Sequence, residues 1–245
     1  YAYVVNWQQR HAPKLLASLW KHEYRVRSAE EPFTTFEGVT YPAGSLIILS
    51  GRNRHKWESM AADMEMLANG HQVKIEAIAS GRMMKGIDLA SNSSRPVKPP
   101  KAAMLVDEPF NTYSSGFIYH LFDKDVAFGL DRIRAASLKQ SALSGVGRAR
   151  YGSPDLADYD VLVLPPASNL DRVFDKNGLQ ELKEWVRDGG VLVLNGSSAA
   201  HFAADSSFGA TLGKKAKRPS GAEDIIYKER SRYRGLQRIP GAAMH

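Results

Sequence analysis

The chain has 245 residues, 43% of them hydrophobic and 24% charged, a balance that suits one large or two modest globular domains. It contains no cysteine, which excludes disulfides, thiolate metal sites and cysteine-nucleophile chemistry, and no apolar run approaches the roughly 20 residues that span a bilayer. From Lys214 onward nine basic residues face three acidic ones, so six of the seven net positive charges sit in the tail and the remainder is close to neutral.

Residues 2–5 are a short apolar run with strand character. The stretch opens on Tyr1 with no initiator Met, basic leader or cleavage site, so it is expected to come from the interior of a longer protein, as a fragment or a mature product. Ala12, Leu15, Leu16, Leu19 and Trp20 recur at helical spacing, with Pro13 suited to a first turn. Tyr24–Arg27 alternates like a strand. Val39–Tyr41 and Leu46–Leu49 flank Pro42-Ala43-Gly44, which predicts a hairpin. A second helix is predicted with Trp57, Met60, Ala61, Met64, Leu67 and Ala68 on one face, stopped by Asn69-Gly70. Val73, Ile75 and Ala77 then alternate as another strand. Residues 1–90 therefore read as a small α/β unit.

Residues 91–100 are rich in Ser and Pro, offer little to bury, and are predicted to be a linker. Beyond them the pattern changes. Ala102–Val106, Val161–Leu164 and Val191–Leu194 are continuous apolar runs, the pattern of parallel strands covered on both faces. Helical segments lie between them, one starting near Tyr113 and one carrying Leu179, Leu182, Trp185 and Val186 before Gly189-Gly190. A further strand is expected near Arg132–Ala136. Strands alternating with helices predict an α/β fold with an open doubly wound parallel sheet over 101–207, followed by a basic tail over 208–245.

In such a sheet ligands bind outside the carboxyl ends of the strands. Asp107, Glu108, Asn195, Gly196, Ser197 and Ser198 are accordingly the pocket candidates, with His201 close by. Gly196-Ser197-Ser198 follows a strand and opens a helix, the setting of a nucleophile elbow. A Ser198 nucleophile served by His201 would give a serine hydrolase or transferase. The alternative role for Ser197 or Ser198 is to cap the helix by accepting backbone N–H bonds. His55 and Glu58 have the His-x-x-Glu spacing of a zinc site, with His201 as a conceivable third ligand, but nothing nearby supplies a catalytic set, and they read as residues of a helix start. In the tail, Tyr227 and Tyr233 alternate with Lys and Arg, which could suit phosphate contact and base stacking. The near-neutral body argues against nucleic acid as a partner.

Tyr1–Trp7, Tyr24–Phe33 and Thr40–Ile48, together with Tyr159–Pro165 and Leu182–Gly190, resemble the region downstream of the peptidase domain in bacterial zinc carboxypeptidase-like proteins of the carboxypeptidase A type. The resemblance covers about residues 1–205. It implies a class I glutamine-amidotransferase-like, flavodoxin-like domain over 101–205. In active amidotransferases the elbow holds a cysteine, and Ser198 stands nearest that position here. It further implies an accessory, non-catalytic role, a zinc ion held by an upstream peptidase domain rather than by this chain, and that domain as the principal partner. A peptide or small molecule at the strand ends, and a periplasmic or extracellular location, are the remaining expectations.

Overall fold

The structure, a computed structural model, describes residues 1–137, 155–204 and 208–209. It divides into two compact units. The first comprises Tyr1–Pro100 with Leu121–Gly129, and the second Lys101–His120 with the described residues from Leu130 onward. Among the described residues the chain is mixed α/β, with one four-stranded parallel sheet and two antiparallel sheets. The basic tail from 210 onward lies outside the described residues.

In the first unit, β1 (Ala2–Val5), β2 (Val26–Ala29), β5 (Leu46–Leu49), β6 (Glu76–Ile78) and β8 (Ser94–Val97) form an antiparallel sheet in the order β6-β1-β5-β2-β8. A smaller sheet holds β3 (Phe33–Thr34), β4 (Thr40–Tyr41) and β7 (Lys85–Gly86) in the order β4-β3-β7. All four residues of β5 are buried because the strand is covered on both faces. Leu46 and Ile48 pack with Leu15, Leu19 and Met64 of helices α1 (Ala12–Lys21) and α2 (Met60–His71), while Ile47 and Leu49 join Phe33 and Tyr41 on the opposite face. Pro13 lies in the first turn of α1, where its missing N–H removes no helical bond.

Several expectations shift. The chain does turn at Pro42–Ser45, where the Ser45 hydroxyl donates to the Pro42 carbonyl at 2.7 Å, but β4 and β5 do not pair as a hairpin. An all-apolar β5 needs the centre of a sheet, and β1 and β2 occupy both its edges. Trp57 precedes α2 and is 66% exposed, and Ala61 is exposed, so the buried face is Met60, Met64 and Leu67. That helix runs past Asn69-Gly70 and ends at Gln72, which adopts a left-handed conformation (φ 55°). The linker segment contains β8, an edge strand on β2. An edge position admits Pro96, and the Arg27 guanidinium reinforces the pairing by donating to the Ser94 backbone carbonyl and to the Ser94 hydroxyl.

In the second unit, β9 (Ala102–Val106), β10 (Asp131–Arg134), β11 (Val161–Leu164) and β12 (Val191–Leu194) form the parallel sheet in the order β10-β9-β11-β12. Ala103, Leu105, Ile133, Leu162 and Leu164 build one face of the core. Against it lie Leu182 of α4 (Lys176–Arg187) and Phe202 of α5 (Ser197–Ala203). The Asp175 side chain caps α4 by accepting from the Gly178 N–H at 2.8 Å. Helix α3 (Thr112–His120) follows β9. The run Val191–Leu194 is not covered on both faces among the described residues: Val191 is 53% and Val193 44% exposed, because β12 is the edge strand.

The Tyr24 hydroxyl donates to Asp63 at 2.6 Å, fastening β2's approach to α2. This bond is the leading cause that holds the Asp63 carboxyl below its ordinary range. A carboxylate depressed in this way adds stability above its unfolded pKa of about 3.9 and loses it as pH falls through the folded value. Tyr24→Phe is therefore expected to cost about 1 kcal/mol at pH 7, with the difference shrinking as acid protonates Asp63 in the folded protein, measured by urea unfolding at neutral and at acid pH.

Candidate functional site

The candidate site is built at the carboxyl edge of the parallel sheet, where three strands end in short connections. β9 runs into Asp107, which adopts a left-handed conformation (φ 67°), then Glu108 and Pro109 before α3. β11 runs into Pro165–Ser168, and β12 into Asn195–Ser198 and α5. The strand order reverses between β9 and β11, and such a switch point is where an open α/β sheet ordinarily leaves a crevice. Here it is closed. The Asn111 N–H donates to the Pro166 carbonyl at 2.7 Å and the Ser168 N–H to the Pro109 carbonyl at 3.0 Å, so the two connections zip together as a short antiparallel bridge at Phe110 and Ala167.

The strand–turn–helix at β12 has the shape of an elbow, but its residues are differently used. The residue at the bend with positive φ is Gly196 (φ 55°, ψ −123°), and a Cβ there would come within 2.9 Å of the Pro166 ring. An elbow raises the side chain of its strained residue, and glycine has none to raise. Ser198 lies two residues further on, fully buried, with its hydroxyl donated to the Pro165 carbonyl at 2.5 Å. Ser197 donates likewise to the Ala167 carbonyl at 2.7 Å. Neither serine caps α5, whose N-cap position is held by Gly196. Both instead clamp the start of α5 to the β11 connection, because each hydroxyl meets a carbonyl that the β11 turn leaves unpaired in the sheet.

His201 does not serve Ser198 as a base. Its Nε2 lies 3.8 Å from an Asp171 carboxylate oxygen, and its ring packs edge-on against Phe202. Asn195 and Glu108 are exposed. In the first unit, His55 sits in a 3-10 turn (Arg54–Lys56) with Nε2 3.1 Å from the Glu23 carbonyl, and Glu58 is exposed ahead of α2, so the two do not share one helix. Among the described residues no group of three or more His, Cys, Asp or Glu is placed to hold a metal ion.

The open space lies elsewhere, between α3 and the face of β9 and β10. This cavity, about 440 Å³, is floored by Met104 and Val106 and edged by Asp107, the one sequence candidate that reaches it. Arg132 and Arg134, two apart on β10, point to the same face of the strand and enter it. The Arg132 guanidinium lies over the Tyr119 ring, 4.5 Å from its centroid, and Arg134 pairs with Asp107 at 3.3 Å. Thr112 and Ser115 add hydroxyls from α3, the latter already donated to the Asn111 carbonyl. One guanidinium is thus matched by a carboxylate, while Arg132 lies over an aromatic face and forms no ion pair among the described residues, so its N–H donors can meet an oxyanion. The Asp-Arg-Ile-Arg alternation of Asp131–Arg134 was the available signal for these residues: a strand with two arginines on one face is not covered by an apolar helix there.

No family model, curated protein or solved structure matches this chain. Among the described residues no helix is long and apolar enough to cross a membrane.

Burial separates the two serines of the clamp. Ser198→Ala leaves a carbonyl without its partner inside the protein and is expected to lower stability by about 2 kcal/mol, whereas exposed Ser197→Ala should cost less than about 1 kcal/mol, as read from thermal or urea unfolding.

Proposed function

We propose that this chain is a non-catalytic, ligand-binding accessory region, with its second unit a flavodoxin-like domain of the class I glutamine-amidotransferase type. The single observation that carries the reading is Gly196 at the bend of the elbow, where an enzyme of this layout needs a reactive side chain. The buried Ser198 hydroxyl, committed to the Pro165 carbonyl, supports it, as does the absence of a base beside that hydroxyl among the described residues. The strand order β10-β9-β11-β12, second-first-third-fourth along the chain, supports the flavodoxin-like assignment. The ligand, a peptide or a small molecule, enters the cavity between α3 and β10, where Arg132 meets its acidic group.

The parent in this proposal is a zinc carboxypeptidase-like protein of the periplasm or cell exterior, whose zinc is held by an upstream peptidase domain. His55 and Glu58 of this chain fit that ion poorly, since the His55 ring nitrogen is directed at the Glu23 carbonyl.

The purified chain is expected to give no labelling with a serine-reactive fluorophosphonate, no release of C-terminal residues from peptides, and no stoichiometric zinc. Labelling that disappears in Ser198→Ala would establish a serine hydrolase or transferase instead. Tight zinc binding lost on His55→Ala would place the metal in this chain. Parentage has its own check: the reading frame upstream of Tyr1 should encode a complete set of zinc ligands, and a frame without them removes the peptidase connection.

A further inference from the structure

The first unit carries a second cavity, of about 480 Å³, beside the edge strand β8. Its floor is apolar, formed by Trp20, Val26 and Val97, and Pro96 and Pro99 make one wall. The indole is fixed rather than loose. Trp20 Nε1 donates to the Val97 carbonyl at 3.1 Å, and the ring packs against Phe128 with centroids 5.7 Å apart.

Around this apolar floor the lining is strongly basic. Arg25, Arg27, Arg52 and Lys98 all border the cavity, and among the described residues no carboxylate lines it. Arg27 is turned onto the backbone of β8, with one nitrogen also reaching the Ser91 carbonyl at 3.4 Å. Arg25, Arg52 and Lys98 are exposed, and no ion pair to a carboxylate is formed by them among the described residues. Three cations left together repel one another, and a bound anion relieves that repulsion.

Their convergence is built into the fold. Asn53 is fully buried and acts as a bolt between two distant segments. Its side-chain oxygen accepts from the Arg25 N–H at 2.7 Å, and its amide donates to the Arg25 carbonyl at 3.0 Å and to the Leu49 carbonyl at 2.9 Å. The turn that follows β5 and carries Arg52 is thereby locked to the residue that precedes β2. Three satisfied bonds to one buried amide hold both arginine-bearing backbones at one rim.

We propose that this groove is a binding site for a small organic anion with an apolar body. The body lies on Trp20 between Val97 and the prolines, and the acidic group is taken by Arg25 and Arg52. A planar oxyanion suits a guanidinium fork better than an ammonium, which leaves Lys98 as a general electrostatic contribution. The volume falls in the range of small-molecule sites, and a cavity of that size with an apolar floor suits a compact ligand rather than an extended polyanion.

The test uses the full chain and two probes that share one ring system, 1-naphthaleneacetate and the neutral alcohol 1-naphthaleneethanol, followed by the indole N–H resonance of Trp20 in a nitrogen-15 correlation spectrum. Saturable binding of the acid that shifts this resonance is expected, with the alcohol weaker by roughly tenfold or more. Arg25→Glu and Arg52→Glu, both at exposed side chains, should each weaken the acid by roughly tenfold while leaving the alcohol unchanged and the unfolding midpoint close to that of the parent chain. Equal affinity for acid and alcohol, insensitivity to both charge reversals, or binding that leaves Trp20 unperturbed overturns the proposal. Capture of an oligonucleotide through these same arginines, with no response to naphthaleneacetate, overturns it as well.

Discussion

Two backbone hydrogen bonds, Asn111 to the Pro166 carbonyl and Ser168 to the Pro109 carbonyl, tie the connection after β9 to the connection after β11. A parallel sheet whose strand order reverses there would otherwise open a crevice above the first and third strands, and that crevice is the usual home of a ligand. With the gap closed, the polar groups after β11 turn to structural use. Pro165 and Ala167 present carbonyls that the sheet does not pair, and Ser198 and Ser197 satisfy them. The elbow after β12 is thus held against its neighbour. Glycine occupies the bend because a side chain there would meet the Pro166 ring.

The closing of one crevice leaves the other side of β9 as the accessible part of the sheet. α3 stands off from β10 rather than packing on it, since β10 presents arginines where a buried strand would present Val or Ile. Asp107, in a left-handed conformation that Asp tolerates better than most residues, directs its carboxylate to Arg134. Only one of the two guanidinium groups is neutralised by that contact. The remaining charge defines the chemistry of the cavity.

The first unit reaches a related arrangement by different means. Its five-stranded antiparallel sheet is covered on both faces by apolar side chains, and Arg25, Arg27, Arg52 and Lys98 border the cavity beside the β2–β8 edge. Asn53 makes this possible by satisfying the backbone of two loops from inside the core. A whole-body charge close to neutral conceals such local accumulations, because acidic residues balance them elsewhere on the surface.

The sequence by itself determined which segments are buried. Hydrophobic runs such as Leu46–Leu49, Ala102–Val106 and Val161–Leu164, and the helical spacing of Leu15, Leu16 and Leu19, follow from local periodicity and need no knowledge of partners. A strand-to-helix turn at Gly196–Ser198 and a strand near Arg132–Ala136 were legible too, whereas Gly196 as the bend residue and the paired arginines of β10 emerged only from the structure. Tertiary structure decided everything that depends on a neighbour. It separated β4 from β5, recruited the Ser- and Pro-rich segment 94–97 as an edge strand, and left Val191 and Val193 open on β12. It also gave Ser198 to a carbonyl rather than to a base. Pairing and hydrogen-bond choice are settled by which groups are left unsatisfied when distant segments meet, and that competition is invisible in any window of adjacent residues.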